Sequence, residues 1–383
     1  MTAPAKLSPP TVPGNRRPRS LYFIVKYPNF SETYMHEEIR SLREQYDIRV
    51  ITYKRSEQPR AEAFPYEVIE YTDPCLVYSQ IGNVNQMFSA PSQVKFLAKV
   101  GAIIREFQPD VLHCHYLGLS LLLRKLAETH QVPFTIRTHS MDVLSEPPEK
   151  LRAMCDAANS RWCLRVLAFP TSCARLVGAG LLADKVVSCW PVLNFARFHQ
   201  PAPRAATRQV MCAGPAIPKK AHHQFVDLAK KMRGQGFTFN LYAKGPTLEK
   251  TREYNQRAGS PVHITYADPD EMPSVYPRHD WLVYPSDCKI NKVGLPVAIC
   301  EAQASGLGVC WQELPGRRAE QLDFLAGGGF LFQDLRDVPA LLLRPYPEEM
   351  RQRGFAAAAR CDIERHKHLL SDVWSPAPRR AAA

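Results

Sequence analysis

The chain has no apolar run long enough to cross a bilayer, no Cys-x-x-Cys pair and no internal repeat. A membrane-spanning helix needs about 20 consecutive apolar residues, so a cytoplasmic protein without a span is expected. Residues 1–20 lack the apolar core of a signal peptide. They are rich in proline, end near Arg16-Arg17-Pro18-Arg19, and read as a disordered basic leader. The 11 cysteines are odd in number, and several stand in apolar segments (Cys114, Cys212, Cys300, Cys310). Buried free thiols fit this better than disulfides or a metal site. Acidic residues are the scarcer sign, 37 against 49 Lys and Arg, for a formal charge of +12. Anionic partners are therefore expected, and nucleic acid, lipid headgroups and sugar nucleotides all qualify. The interleaving of aromatic and basic residues that marks nucleic-acid stacking surfaces is missing, so no nucleic-acid partner is expected.

What is present is an alternation of short apolar runs and helical spacings. At 383 residues there is room for two ordinary domains. Leu21-Tyr-Phe-Ile-Val25 is continuously apolar, as in a strand buried on both faces of a parallel sheet. Met35, Ile39 and Leu42 follow at helical spacing, and Ile48-Arg-Val-Ile-Thr52 is a second strand. A helix through Val94, Leu97, Val100 and Ile104 leads to the strand Val111-Leu-His-Cys-His115. A further helix leads to the strand Phe134-Thr-Ile-Arg-Thr138. A second series starts after the Pro- and Ala-rich stretch at 200–208, with strands at 209–213, 237–242, 263–265, 281–283 and 308–311. The pattern predicts two α/β doubly wound, Rossmann-like domains, at 21–199 and 209–360, joined by a linker at 200–208. Residues 361–383 are expected to form a C-terminal helix packing back towards the N-terminal domain, then a polar tail.

The segment 284–306 carries the strongest functional signal. The strand from Trp281 runs into a polar turn, then Gly294-Leu295-Pro296, then an Ala-rich helix bearing one carboxylate, Glu301. A helix start favours anions, and a carboxylate one turn further on can accept from sugar hydroxyls. The apolar neighbours of Glu301 mark a packed helix, where an unpaired carboxylate would be costly. His139 directly follows a strand and should stand at its carboxyl end, with Asp142 placed to orient the imidazole. His113 and His115 stand in one strand, and the expectation is that they point to opposite faces and do not share a metal. His222-His223 and His366-Lys-His368 read as solvated helix faces, and Asp268-Pro-Asp-Glu271 as a turn and helix start.

These landmarks, taken in order, resemble a known family. They are Tyr27-Pro-Asn-Phe-Ser-Glu-Thr33, His113-Cys-His115, His139-Ser-Met-Asp142, Asn194, Lys220, the stretch from Pro285 to Gly306, Gly316-Arg-Arg-Ala-Glu320 and Gly327-Gly-Gly329. From Leu21 to Trp374 the chain resembles the large retaining family of GT-B glycosyltransferases, which build bacterial polysaccharides and lipid-linked glycans. The resemblance implies two Rossmann-like domains facing across a cleft. It implies a nucleotide sugar, UDP- or GDP-linked, as donor substrate, with no cofactor and no metal. It further implies that Gly214 and Lys220 hold the diphosphate, that Gly294, Leu295, Pro296 and Glu301 hold the nucleotide, and that His139 and Lys220 serve catalysis. Asn29, Ser31, Glu32, Thr33 and Asp142 would line the acceptor side. Three positions depart from the family pattern, one of them Ala221, where a Gly usually follows the Lys. The usual Arg after Gly214 is Pro215, and the usual Glu before Gly294 is Val293. Lys219, Lys244, Arg317 or Arg318 could restore the missing charge. The implied activity is sugar transfer to a polysaccharide or lipid-linked acceptor, with the basic surface touching the inner face of an anionic membrane. The alternative is a non-catalytic relative that binds a glycan or supports a partner glycosyltransferase.

Overall fold

The structure is a computed structural model describing residues 16–27, 32–55, 67–70, 90–202, 205–290 and 294–375. The chain divides into two compact units. The first comprises Met1–Asn29, Glu38–Cys189 and His366–Ala383; the second comprises Phe30–Glu37 and Trp190–Arg365. The helix Thr33–Leu42 is thus shared, changing unit between Glu37 and Glu38.

The strands of the first unit are β1 (Arg19–Tyr27), β2 (Asp47–Arg55), β3 (Glu67–Glu70), β4 (Val111–His115), β5 (Phe134–Arg137), β6 (Cys163–Ala168) and β7 (Val186–Ser188). They form one parallel sheet in the order β3-β2-β1-β4-β5-β6-β7. Every residue of β4 and β5 is buried, the polar His113, His115, Thr135 and Arg137 included. Leu21, Phe23, Leu112, Cys114, Phe134 and Ile136 supply the sheet's share of the core. Helices such as Ser120–His130 and Pro148–Ala158 cover it with Leu122, Leu123, Leu126, Leu151 and Met154.

The second unit repeats the plan with β8 (Gln209–Pro215), β9 (Thr238–Lys244), β10 (Val262–Thr265), β11 (Trp281–Tyr284), β12 (Gly308–Gln312) and β13 (Phe330–Phe332). All are parallel, in the order β10-β9-β8-β11-β12-β13. The two-domain Rossmann-like architecture expected from the alternation is therefore present. Strands β3, β6, β7 and β13 go beyond that reading. They are short or interrupted by charged residues (Glu67-Val-Ile-Glu70, Cys163-Leu-Arg-Val-Leu-Ala168), so they lack a continuous apolar signature. In the second sheet the strand order reverses between β8 and β11. Ligands of open α/β sheets bind beyond the strand carboxyl ends at such a switch point. No helix among the described residues is long and apolar enough to cross a membrane.

Candidate functional site

At the β8/β11 switch point the second unit carries a cavity of about 330 Å³. Gly214 and Pro215 close β8 at its edge, and Lys219 and Lys220 follow in the turn Pro218–Lys220. Gly294, Leu295 and Pro296 line it before the helix Val297–Ala304, and Glu301 reaches it from that helix's second turn. Glu32 and Thr33, at the start of the helix shared between units, also line it, and both belong to the second unit. Asn29, Ser31 and Val293 lie outside the described residues.

Local backbone geometry explains the crowding of these side chains here. Gly214 has φ +143°, a conformation that disfavours side chains, and an added Cβ would stand 3.6 Å from Lys220 Cε. The lysine stem packs against this bare backbone, which aims its amine across the switch point. Lys220 Nζ lies 4.3 Å from the centroid of the Tyr284 ring, at the end of β11. Burial, with the neighbouring charge of Lys219, pulls Lys220 down to about 7. An anion entering the cavity would restore its proton. Ahead of the helix Val297–Ala304, Pro296 is extended (φ −77°, ψ 125°). The first helical N–H groups have no intrahelical acceptor, so they and the helix dipole favour an anion at this end.

Glu301 is half-buried, and Tyr276 Oη donates to its Oε2 at 2.7 Å. Burial pushes its carboxyl up to about 7, against that bond and the charge of Arg197. Only one carboxylate oxygen is held by Tyr276, which leaves Oε1 to accept from a ligand. Arg197 is anchored by Glu37 at 3.0 Å and Asp270 at 3.1 Å. Asn194 donates to the second Glu37 oxygen at 3.2 Å. Asp268-Pro-Asp270 has Asp-x-Asp spacing, but Asp270 is paired with Arg197 and neither aspartate lines the cavity.

The first unit holds a different cluster. His113 and His115 do not face opposite sides of β4: their Nε2 atoms lie 3.5 and 3.1 Å from the same oxygen, Glu38 Oε1. Residues two apart on a strand share a face, so the opposite-face expectation misapplied the period of two. Glu38, His113 and His115 bring ligand atoms within 4.8 Å of one another, and strand geometry does not forbid a shared metal. Glu38 is already well matched, however. Tyr22 Oη donates to Oε1 at 3.3 Å, His366 Nε2 meets Oε2 at 2.6 Å, and the Arg137 guanidinium stands 3.5 Å away. Burial alone would raise its carboxyl, but His115 and His366 outweigh that and hold it well below the usual range. Burial in turn pulls His115 and His366 down to about 4.

His139 adjoins this network, its Nε2 3.0 Å from His115 Nδ1. It is buried, and burial pulls it well below its ordinary value, with His115 adding to the shift. Asp142 and His139 form a capping box, in which the Asp142 backbone N–H, not its carboxylate, meets the His139 side chain. The two carboxylate oxygens of Asp142 instead accept from the backbone N–H groups of His139 at 2.7 Å and Leu117 at 2.6 Å. Burial raises the Asp142 carboxyl to about 7 despite those bonds. Two solvated-face expectations also fail, because His366 and His222 are buried while His223 and His368 are exposed. His366 shares a helix face with Ile363, Leu370 and Trp374, all buried, a spacing that marks an inward side chain. Sequence reasoning passed over Glu38, Arg137 and Tyr276. Glu38 has only its place on an apolar helix face and Arg137 its place at a strand end, while Tyr276 has no such signal.

Residues 31–187 match the family model Glycosyltransferase Family 4, and residues 207–340 match Glycosyl transferases group 1. No curated protein matches at a significant level. Among solved structures, HepE of Anabaena, determined with UDP, is 15% identical and covers 93% of this chain and 99% of its own, with a TM-score of 0.71. Sucrose-phosphate synthase of Thermosynechococcus elongatus is 14% identical over 94% of this chain and 98% of its own, at 0.70. A glycosyltransferase of Rickettsia africae is 13% identical over 94% and 98%, at 0.68. At these identities the structures establish a shared fold.

Proposed function

The chain belongs to the GT-B glycosyltransferases, enzymes that move a glycosyl group from a nucleotide sugar, and we propose that its acceptor is a polysaccharide or lipid-linked glycan. The observation that carries the donor assignment is the convergence of Lys220, Glu301 and the start of the helix Val297–Ala304 on one cavity. Glu301 accepts from ribose hydroxyls, while Lys220, Gly214 and the helix N–H groups hold the diphosphate. In the reaction, the bond between the anomeric carbon and the diphosphate oxygen breaks, and the diphosphate keeps the electron pair. The acceptor hydroxyl oxygen bonds that carbon, and its proton passes to the departing diphosphate oxygen. Lys220 stabilises the charge that grows on the leaving group, the largest electrostatic demand of the step.

The transfer retains anomeric configuration and calls for neither a metal nor a resident cofactor. UDP and GDP sugars are the leading donors; HepE, determined with UDP, supports the first. His139 and Asp142 are assigned to the acceptor side, as are Asn29, Ser31, Glu32 and Thr33. The charge of +12 supports peripheral contact with anionic lipid.

Thermal melting with saturating UDP, GDP, ADP and their sugars tests the donor assignment. A ligand at 100 times its dissociation constant stabilises by about 2.7 kcal/mol. The protein is expected to respond to at least one, and no shift with any of them overturns the assignment. Turnover of the responding donor with glycan acceptors, followed by NMR of the new anomeric centre, tests retention. An inverted product refutes it.

A further inference from the structure

Lys244 ends β9 and lines the same cavity as Lys220. The β8–β9 register pairs it with Pro215. Paired residues on neighbouring strands stand about 4.8 Å apart and share a face. Pro215 offers neither a charge nor a backbone N–H, so Lys244 is the cation nearest to that edge of the cavity along the strand pair. The turn after β9 is drawn tightly against β8. Ala216 N–H donates to Lys244 O at 2.9 Å, and a Cβ on Gly245 (φ +146°) would stand 2.8 Å from Ala216 O. That contact fixes the backbone from which the Lys244 side chain projects.

No carboxylate among the described residues pairs with Lys244. Its ammonium instead sits 5.0 Å from the centroid of the Tyr266 ring, and Tyr266 lines the cavity too. At an exposed site such a contact is weak, so the charge can be redirected to a stronger partner. Two other basic residues are committed elsewhere: Arg317 pairs with Glu320 and Arg318 with Glu313, and neither lines the cavity. A nucleoside diphosphate carries at least two negative charges. Lys220, in the turn that follows β8, supplies one positive charge against them.

We propose that Lys244 is a second diphosphate-binding cation, reaching the donor's phosphates from its seat on Tyr266 and acting beside Lys220. The proposal rests on the nucleotide-sugar reading above. Isothermal titration with UDP, GDP and ADP first identifies the diphosphate that binds. That diphosphate and its parent nucleoside are then titrated into wild type, Lys244→Met, Lys244→Arg and Lys219→Met. Methionine keeps most of the aliphatic stem and removes the charge. The expected result is an approximately tenfold weaker diphosphate in Lys244→Met, an unchanged nucleoside, and recovery in Lys244→Arg. Unchanged diphosphate affinity in Lys244→Met, or an equal loss for the nucleoside, overturns the proposal and leaves the nucleotide-sugar reading standing. A tenfold loss in Lys219→Met but not in Lys244→Met also overturns it, naming Lys219 instead. If wild type binds none of the three diphosphates, the donor reading itself fails and the proposal falls with it.

Discussion

Glu38 in the first unit and Glu301 in the second are both carboxylates carried on helices that pack against a parallel sheet, and burial pushes both upward. Around Glu38 the push is overcome. Tyr22, His115 and His366 reach its two oxygens, Arg137 lies close, and the group has no exposed surface. Around Glu301 the push prevails. Tyr276 holds one oxygen, and the side chain faces a cavity also lined by Lys220 and Lys244. The difference teaches how the same residue type serves two ends. A carboxylate whose hydrogen-bonding capacity is used up by the protein fixes structure, and one with capacity left over is available to a ligand.

Substitution can break this contrast. Glu38→Ala leaves Arg137 without its buried counter-charge, and such losses cost about 3–5 kcal/mol. Urea unfolding should show that loss, while nucleotide affinity measured well below the melt stays at the wild-type value; a parallel fall in affinity would merge the two roles. Lys220→Met should do the reverse. Diphosphate affinity should drop by about 2 kcal/mol, roughly 30-fold, with stability equal or higher because a half-buried charge is gone. Glu301→Gln should cost about 1.5 kcal/mol of nucleotide affinity by titration calorimetry, since an amide is a poorer acceptor than a carboxylate.

The pH dependence sharpens the same comparison. Lys220 stands at about 7 and must be protonated to hold a diphosphate, so affinity should fall as pH rises above 7. Glu301 also stands at about 7 and must be ionised to accept from ribose, so affinity should fall as pH drops below 7. Binding measured from pH 5.5 to 9 (chosen to span about 1.5 to 2 units either side) should therefore peak near neutrality. Lys220→Arg should remove the alkaline fall, and Glu301→Gln the acid one. The smallest effect expected is that of Trp374→Phe. It deletes the Nε1–H bond to Thr135 Oγ1, 2.9 Å long, and should cost about 1 kcal/mol of stability without touching nucleotide binding.

Much of the lining of the cavity at the β8/β11 switch point could be read along the chain because its pieces are local. Gly214 and Lys220 follow one strand, and Gly294, Leu295, Pro296 and Glu301 follow another, so turn and helix signals mark them. The Glu38 network could not be read that way. Its members come from the helix Thr33–Leu42, from β1, β4 and β5, and from the final helix Ile363–Trp374. Period-two and period-four spacing would still have placed His113 with His115 and turned His366 inward. Tyr276 carried no signal at all, since a tyrosine at the end of a short helix is unremarkable until Glu301 stands 2.7 Å away.

By itself, the sequence determined most of the succession of strands and helices, the two α/β domains and the residues following several strand ends, because hydrophobic periodicity and turn residues act over a few neighbours. Only the tertiary structure decided which charges are matched. The register that sets Lys244 beside Pro215, and the packing that closes Glu38 while leaving Glu301 facing a cavity, are long-range. They depend on burial and on partners far apart in the chain, and the electrostatic worth of a side chain follows from those two quantities.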